Sequence, residues 1–260
     1  MPKDAWKETL PKAALVTGGA QRIGAAIVRS LARAGYAVAI HARHSRAEAE
    51  TLAREIAAGG GRAAVVCAEL DDDAGVQRLV PAAAAAIGPL TLLVNNASAF
   101  EADAIGKLQR DRFNRHMAVN LRAPVFLAEA FAAQAMAGVD ASIVNVTDQR
   151  VMKPTPLLFS YALSKSALDI ATIMLAQALA PKIRVNAVAP GPVLPSARQS
   201  KADFNRQASA VPLGRGPSPE EIADAVLYLA GAKSVTGTTI AVDGGQHLAW
   251  RTADIWGIEE

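Results

Sequence analysis

The chain alternates between short runs in which almost every residue is apolar and longer stretches in which apolar residues recur every three or four positions. Continuous apolar runs suit strands covered on both sheet faces, and the three-to-four spacing is that of an amphipathic helix. The runs Ala13–Thr17, Ala37–Ile40, Ala63–Val66, Thr91–Val94, Ser142–Val146, Ile183–Val188 and Thr239–Val242 therefore predict strands. The stretches Ile23–Ala34, Ala47–Ala57, Asp73–Ile87, Phe113–Met136, Tyr161–Leu179 and Glu220–Leu229 predict helices. Strand–helix alternation at this spacing argues for an α/β fold, a doubly wound parallel β-sheet with helices on both faces. No linker rich in Pro or Ser divides the chain, so residues 1–260 read as a single domain. Gly191–Pro219 carries no period and reads as a long loop, with about Ser196–Ala210 expected to close over a substrate. The segment 249–260, with two tryptophans, reads as a tail used for packing or an interface.

Bulk chemistry narrows the function classes. A chain of 260 residues is long enough for one well-buried core. A net charge of +3 without blocks of like charge speaks against a nucleic-acid arm and suits an anionic small molecule. One cysteine excludes a disulfide within the chain, and its run AAVVCA predicts a buried Cys67 thiol. The opening MPKDAWKETLPK lacks the apolar region of a signal peptide, and no uninterrupted apolar run nears the ~20 residues of a membrane span. The cytoplasm is the expected location. The histidines His41, His44, His116 and His247 lack metal-ligand spacing, so no metal is expected. The absence of a Gly-x-Ser-x-Gly elbow argues against a hydrolase.

Two segments point to a dinucleotide. TGGAQRIG, residues 17–24, joins the first predicted strand to the first predicted helix. Glycines there let the backbone approach a pyrophosphate, and the helix N-terminus supplies unpaired N–H groups. After the second strand an acidic residue would favour NAD, and a basic one the extra phosphate of NADP. The chain reads His41-Ala42-Arg43-His44-Ser45-Arg46, with no carboxylate before Glu48. Arg43 offers a bidentate donor and Ser45 a hydroxyl, so NADPH is expected over NADH. The alternative is that Arg43 and Arg46 form only a solvated face.

Tyr161 and Lys165 stand four residues apart on one predicted helix face. A nearby ammonium favours a phenolate, which would lower the tyrosine pKa and suit it to proton transfer beside a hydride acceptor. With these motifs in place, the chain resembles the short-chain dehydrogenase/reductase family over roughly residues 12–248. TGGAQRIG, Asn95-Asn96-Ala97, Asn120, YALSK, RVNAVAPGPV and VDGG follow in the family's order. The resemblance implies a Rossmann-type, NADP(H)-dependent oxidoreductase that commonly forms homotetramers, here through the faces of Phe113–Met136 and Tyr161–Leu179. It implies a catalytic set of Asn120, Tyr161, Lys165 and the residue at position 148. Asn120 would support a water-linked proton relay to Lys165, which would also hold the nicotinamide ribose. Asn95 and Ala97 would flank the adenosine side, and Pro190 and Gly191 the nicotinamide. The full cofactor set it implies is Gly18, Gln21, Arg22, Ile23, Gly24, Arg43, His44, Ser45, Glu69, Leu70, Asn96, Ala97, Ser98, Tyr161, Lys165, Pro190, Gly191 and Val193.

The departures from the family pattern carry the substrate reading. Thirteen positions before Tyr161, where most members have serine, stands Asp148. An ionised carboxylate only accepts hydrogen bonds, so it fits amino or ring N–H groups better than a ketone oxygen. Arg22 replaces the middle glycine of the loop, and Phe100 follows Asn-Asn-Ala-Ser-Ala. Together these resemble the pteridine reductase branch. By that resemblance Phe100 stacks a flat pterin, Ser98 and Arg22 contact substrate or phosphates, and Asp148 and Tyr161 handle protons. Plain loop packing for Phe100 and backbone bonding for Asp148 remain the alternatives. So do a carbonyl reductase acting on a ketone or 3-oxoacyl substrate, and a non-catalytic dinucleotide-binding regulator.

Overall fold

Seven strands, β1 (Ala13–Val16), β2 (Ala37–Ala42), β3 (Ala63–Cys67), β4 (Leu92–Asn95), β5 (Ala141–Val146), β6 (Ile183–Pro190) and β7 (Thr239–Val242), form one sheet in the computed structural model. It describes residues 12–136, 138–196 and 198–251. The sheet is parallel throughout, in the order β3-β2-β1-β4-β5-β6-β7. The inner strands β1, β2, β4 and β5 are buried at every position, including the polar His41, Asn95, Ser142 and Asn145, whereas the edge strands β3 and β7 are only partly covered.

Successive strand side chains point to opposite faces, so the sheet feeds two cores. Ala14 and Val16 pack with α1 (Arg22–Arg33), α2 (Arg46–Ala58) and α8 (Pro219–Gly231). Ala13 and Leu15 pack on the other face with α3 (Asp73–Ile87), α5 (Ala123–Gln134) and α6 (Phe159–Leu179). β1 sits between β2 and β4, which is where the winding reverses. Such a switch point opens a crevice at the carboxyl ends of the strands.

Three sequence expectations are corrected. Phe113–Met136 is not one helix: α4 (Arg110–Met117) passes through a π turn, Ala118–Arg122, into α5. A π turn inserts one residue into the ladder without breaking the apolar period, so periodicity does not reveal it. Gly191–Pro219 is not irregular throughout, because α7 (Lys201–Ser209) lies within it. That helix buries none of its residues, so it has no apolar stripe to read, although Ser200 caps it by accepting from the Asp203 N–H. Cys67 is exposed, not buried, because it ends the edge strand β3. Of the tail at 249–260, residues beyond Arg251, including the second tryptophan, lie outside the described residues. Among the described residues, α6 alone is long and apolar enough to cross a membrane. It carries Lys165 and Asp169 and packs one face on the sheet.

Candidate active site

A cleft of about 890 Å³ lies over the carboxyl ends of the strands at the β1/β4 switch point. Its first half is built by the turn from β1 to α1. Gly18 has φ +60°, and a Cβ there would meet the Ala97 Cα at 3.0 Å. A Cβ at Gly24 would stand 2.0 Å from the Gly18 carbonyl oxygen, so only glycine lets α1 start this close to the turn. Asn96 fixes that geometry: its side-chain amide donates to the carbonyls of Thr17 and Gly18 at 2.9 and 3.1 Å. His41 fixes it from β2. Its Nδ1 accepts the Gly18 N–H at 3.0 Å, so Nε2 carries the proton and donates to the Ala68 carbonyl at 3.1 Å. Burial lowers the His41 pKa and keeps the ring neutral, as its accepting Nδ1 requires.

Two helix N-termini close this half. Gln21 and Ser45 precede α1 and α2 without capping them, which leaves first-turn N–H groups without a side-chain acceptor. Arg43, His44 and Ser45 line the same end, and Arg43 forms an ion pair with Glu69. These features fit a dinucleotide: a cradle with no room for a Cβ, uncapped helix starts, and a basic end suited to an extra phosphate.

The second half holds acid–base groups. Asp148, at the end of β5, starts a turn of 3₁₀ helix (Gln149–Val151) and accepts the Arg150 N–H at 2.9 Å. The Arg150 guanidinium reaches both carboxylate oxygens, at 3.1 and 3.2 Å. Tyr161, in the first turn of α6, donates its O–H to Asp148 Oδ2 at 2.9 Å. The Phe100 ring stands 4.7 Å from the Tyr161 ring, edge to face at 81°. Phe100 is 39% exposed and lines the cleft, so it is not buried loop packing.

The electrostatics correct one expectation. The Tyr161 pKa is raised well above its ordinary value, not lowered. Burial is the main cause, and the Asp148 carboxylate adds to it; Arg150 and Ser98 oppose it. Lys165, 1% exposed, donates to the Val146 carbonyl at 2.6 Å. Burial lowers its pKa to about 8, and Asp148 partly restores it. The four-residue spacing put the pair on one helix face, but it says nothing of the carboxylate that faces the phenol.

The cleft brings together Gly18, Gln21, Arg22, Ile23, Gly24, Arg43, His44, Ser45, Leu70, Asn96, Ala97, Ser98, Phe100, Asp148, Tyr161, Gly191 and Val193. Asn95, Asn120 and Lys165 stand behind it, fully or almost fully buried, and Pro190 and Glu69 are not on its wall. The Asn95 side chain donates to Asn145 at 2.9 Å and faces β5, away from the cleft. Asn120, in the π turn, spends its side chain on Ala99 and Ser164, which ties the β4 loop to α6.

A family model described as enoyl-(acyl carrier protein) reductase matches residues 18–247. The chain belongs to the short-chain dehydrogenase/reductase family, a family of oxidoreductases. It is 52% identical to the FolM alternative dihydrofolate reductase 1 of Brucella canis, solved in complex with NADP, at a TM-score of 0.91 over 94% of this chain and 97% of that one. It is 35% identical to an uncharacterised oxidoreductase of Methylorubrum extorquens, over 90% of this chain and 97% of the relative. It is 34% identical to the L-xylulose reductase of Bos taurus, over 89% of this chain and 95% of the relative.

Sequence reasoning missed four residues of this short-chain dehydrogenase/reductase site. His41 has no metal-ligand spacing, and its place beside the phosphate cluster is the one signal for it in the sequence. Arg150 follows Asp148 by two positions, and its charge was a readable signal. Arg198 donates to the Phe100 carbonyl at 3.0 Å and lies 5.9 Å from that ring, and Gln246 lines the cleft. Arg198 comes from a segment with no local pattern, whereas Gln246 directly follows VDGG and was readable from it.

Proposed function

We propose that this protein is an NADPH-dependent reductase of a pterin or a related heterocycle with a C=N bond. The observation that carries the reading is the Asp148 carboxylate, held by Arg150 and bonded to the Tyr161 hydroxyl, opposite the exposed Phe100 ring. A dinucleotide in the cleft supplies hydride. The phosphate half supports NADPH: α1 and α2 offer uncapped N–H groups to anionic oxygens, and Arg43 and Ser45, donors suited to an extra phosphate, line the same end of the cleft.

The remaining steps belong to the chain. Phe100 offers a flat face at the cleft, and ring stacking contributes about 0.5–1.5 kcal/mol beyond burial. Each Asp148 oxygen already accepts two donors, which fills its lone pairs. A substrate N–H therefore gains an acceptor on Oδ2 when the Tyr161 O–H turns from Asp148 to the reacting nitrogen. Because its pKa is raised, Tyr161 keeps its proton at neutral pH and acts as the acid. Lys165 sits behind the site with a charge that couples to Asp148, and Asn120 ties the loop at Ala99 to Ser164 on α6.

A carbonyl reductase is the second reading, favoured by the resemblance to L-xylulose reductase. Asp148→Ser separates the two. Serine keeps a partner for Tyr161 and adds a donor for a carbonyl oxygen. Under the pterin reading kcat/KM for dihydropterins falls by about 10²-fold or more. Unchanged pterin turnover would overturn the role given to Asp148.

A further inference from the structure

Behind the substrate wall lies a buried polar chain that none of these steps uses. His116, on α4, is fully buried. Its Nε2 accepts the Glu101 N–H at 3.1 Å, so the ring proton sits on Nδ1, which donates to the Ser160 hydroxyl oxygen at 2.6 Å. Ser160, also fully buried, donates its hydroxyl proton to Asp103 Oδ2 through a very short bond, and its N–H to Asp103 Oδ1 at 3.1 Å. Every donor thus points the same way, from the Glu101 N–H through His116 and Ser160 to Asp103. A carboxylate only accepts, so Asp103 sets that direction.

The chain joins three elements that meet at the site. Glu101 and Asp103 belong to the segment that carries Phe100, Ser160 precedes Tyr161 on α6, and His116 sits edge-on to the Tyr161 ring at 6.1 Å and 72°. Arg112 adds a second grip from α4, donating to the Glu101 carboxylate at 3.1 Å and the Ala102 carbonyl at 2.8 Å. Three buried polar side chains, Asp103, Ser160 and His116, are satisfied only if the wall holds this one position, which makes the arrangement all-or-none.

We infer that Asp103, Ser160 and His116 are positioning residues whose one-way hydrogen-bond chain fixes the Phe100 wall against Tyr161 and thereby sets affinity for a flat substrate. The inference rests on reading the cleft beside Phe100 as the substrate slot. Asp103→Asn tests it with almost no change of shape. The amide can keep the Ser160 N–H only by turning its NH₂ towards the Ser160 hydroxyl. That reverses the chain, moves the His116 proton to Nε2 and sets it against the Glu101 N–H, donor to donor.

The expected result is a substrate KM raised by about ten-fold or more with kcat falling less than about three-fold, and an unchanged Kd for NADPH. Nitrogen-15 spectra of the imidazole should show His116 protonated on Nδ1 in the wild type and on Nε2 in Asp103→Asn. Ser160→Ala, which cuts the chain at its centre, should give the same split of KM from kcat. A wild-type His116 protonated on Nε2, or kcat and NADPH affinity falling as much as KM rises, would overturn the inference. The kinetics use whichever compound the wild type reduces. Failure on pterins alone therefore counts against the substrate reading, and failure to split KM from kcat counts against this one.

Discussion

At the scale of single residues, the site turns on the order in which protons are held. Tyr161 is kept neutral by burial and by Asp148, whereas burial brings the Lys165 pKa down to about 8. A lysine with a lowered pKa is charged below that value and neutral above it, so it loses its ammonium while Tyr161 is still protonated. The basic limb of the kcat/KM profile is therefore expected near pH 8 and belongs to Lys165. Asp148 raises the Lys165 pKa, so Asp148→Asn should move that limb to lower pH. A limb near or above the ordinary tyrosine value of about 10 would assign it to the phenol instead. That Tyr161 and Lys165 share a helix face was legible in their four-residue spacing, and Asp148 and Phe100 stand out as departures that match the pteridine reductase branch. The sign of the Tyr161 shift was not legible, because it depends on which neighbour faces the phenol. His41 was illegible for a related reason: its role needs Gly18, 23 residues away, brought beside it by strand pairing.

At the scale of elements, the apolar period placed all seven strands, and the strand ends decide what the site receives. β2 runs two residues further than its apolar run, to Ala42, and so carries His41 within the sheet. The predicted helix Glu220–Leu229 forms as part of α8, and a reciprocal capping box between Ser218 and Glu221 starts it. The π turn and α7 were not legible, because neither changes a hydrophobic stripe. Two neighbouring helices expose apolar side chains: α6 exposes Leu163, Ile170, Ile173 and Met174, and α5 exposes Phe126. Exposed apolar side chains on neighbouring helices suit burial between subunits. The expected assembly is a homotetramer, which a sizing measurement with light scattering checks; a stable monomer would remove it.

At the scale of the whole molecule, the parallel sheet reverses its winding beside β1, and that reversal places a phosphate cradle and a proton-handling pair in one cleft. The loop after β6 lines the cleft and is held to it from both sides. Arg22, held at φ +54°, donates to the Leu194 and Pro195 carbonyls at 3.3 and 2.9 Å, and Arg198 donates to Phe100. The fold and the phosphate cradle support hydride transfer of either kind; the proposal of a heterocycle rests on Asp148, Arg150 and Phe100. The most direct measurement is NADPH oxidation by the purified protein with dihydrobiopterin and dihydrofolate, beside a panel of simple ketones. Turnover of the dihydropterins, with the ketones slow or inert, is the expected result. Turnover of the ketones alone would contradict it and leave a carbonyl reductase of the same family.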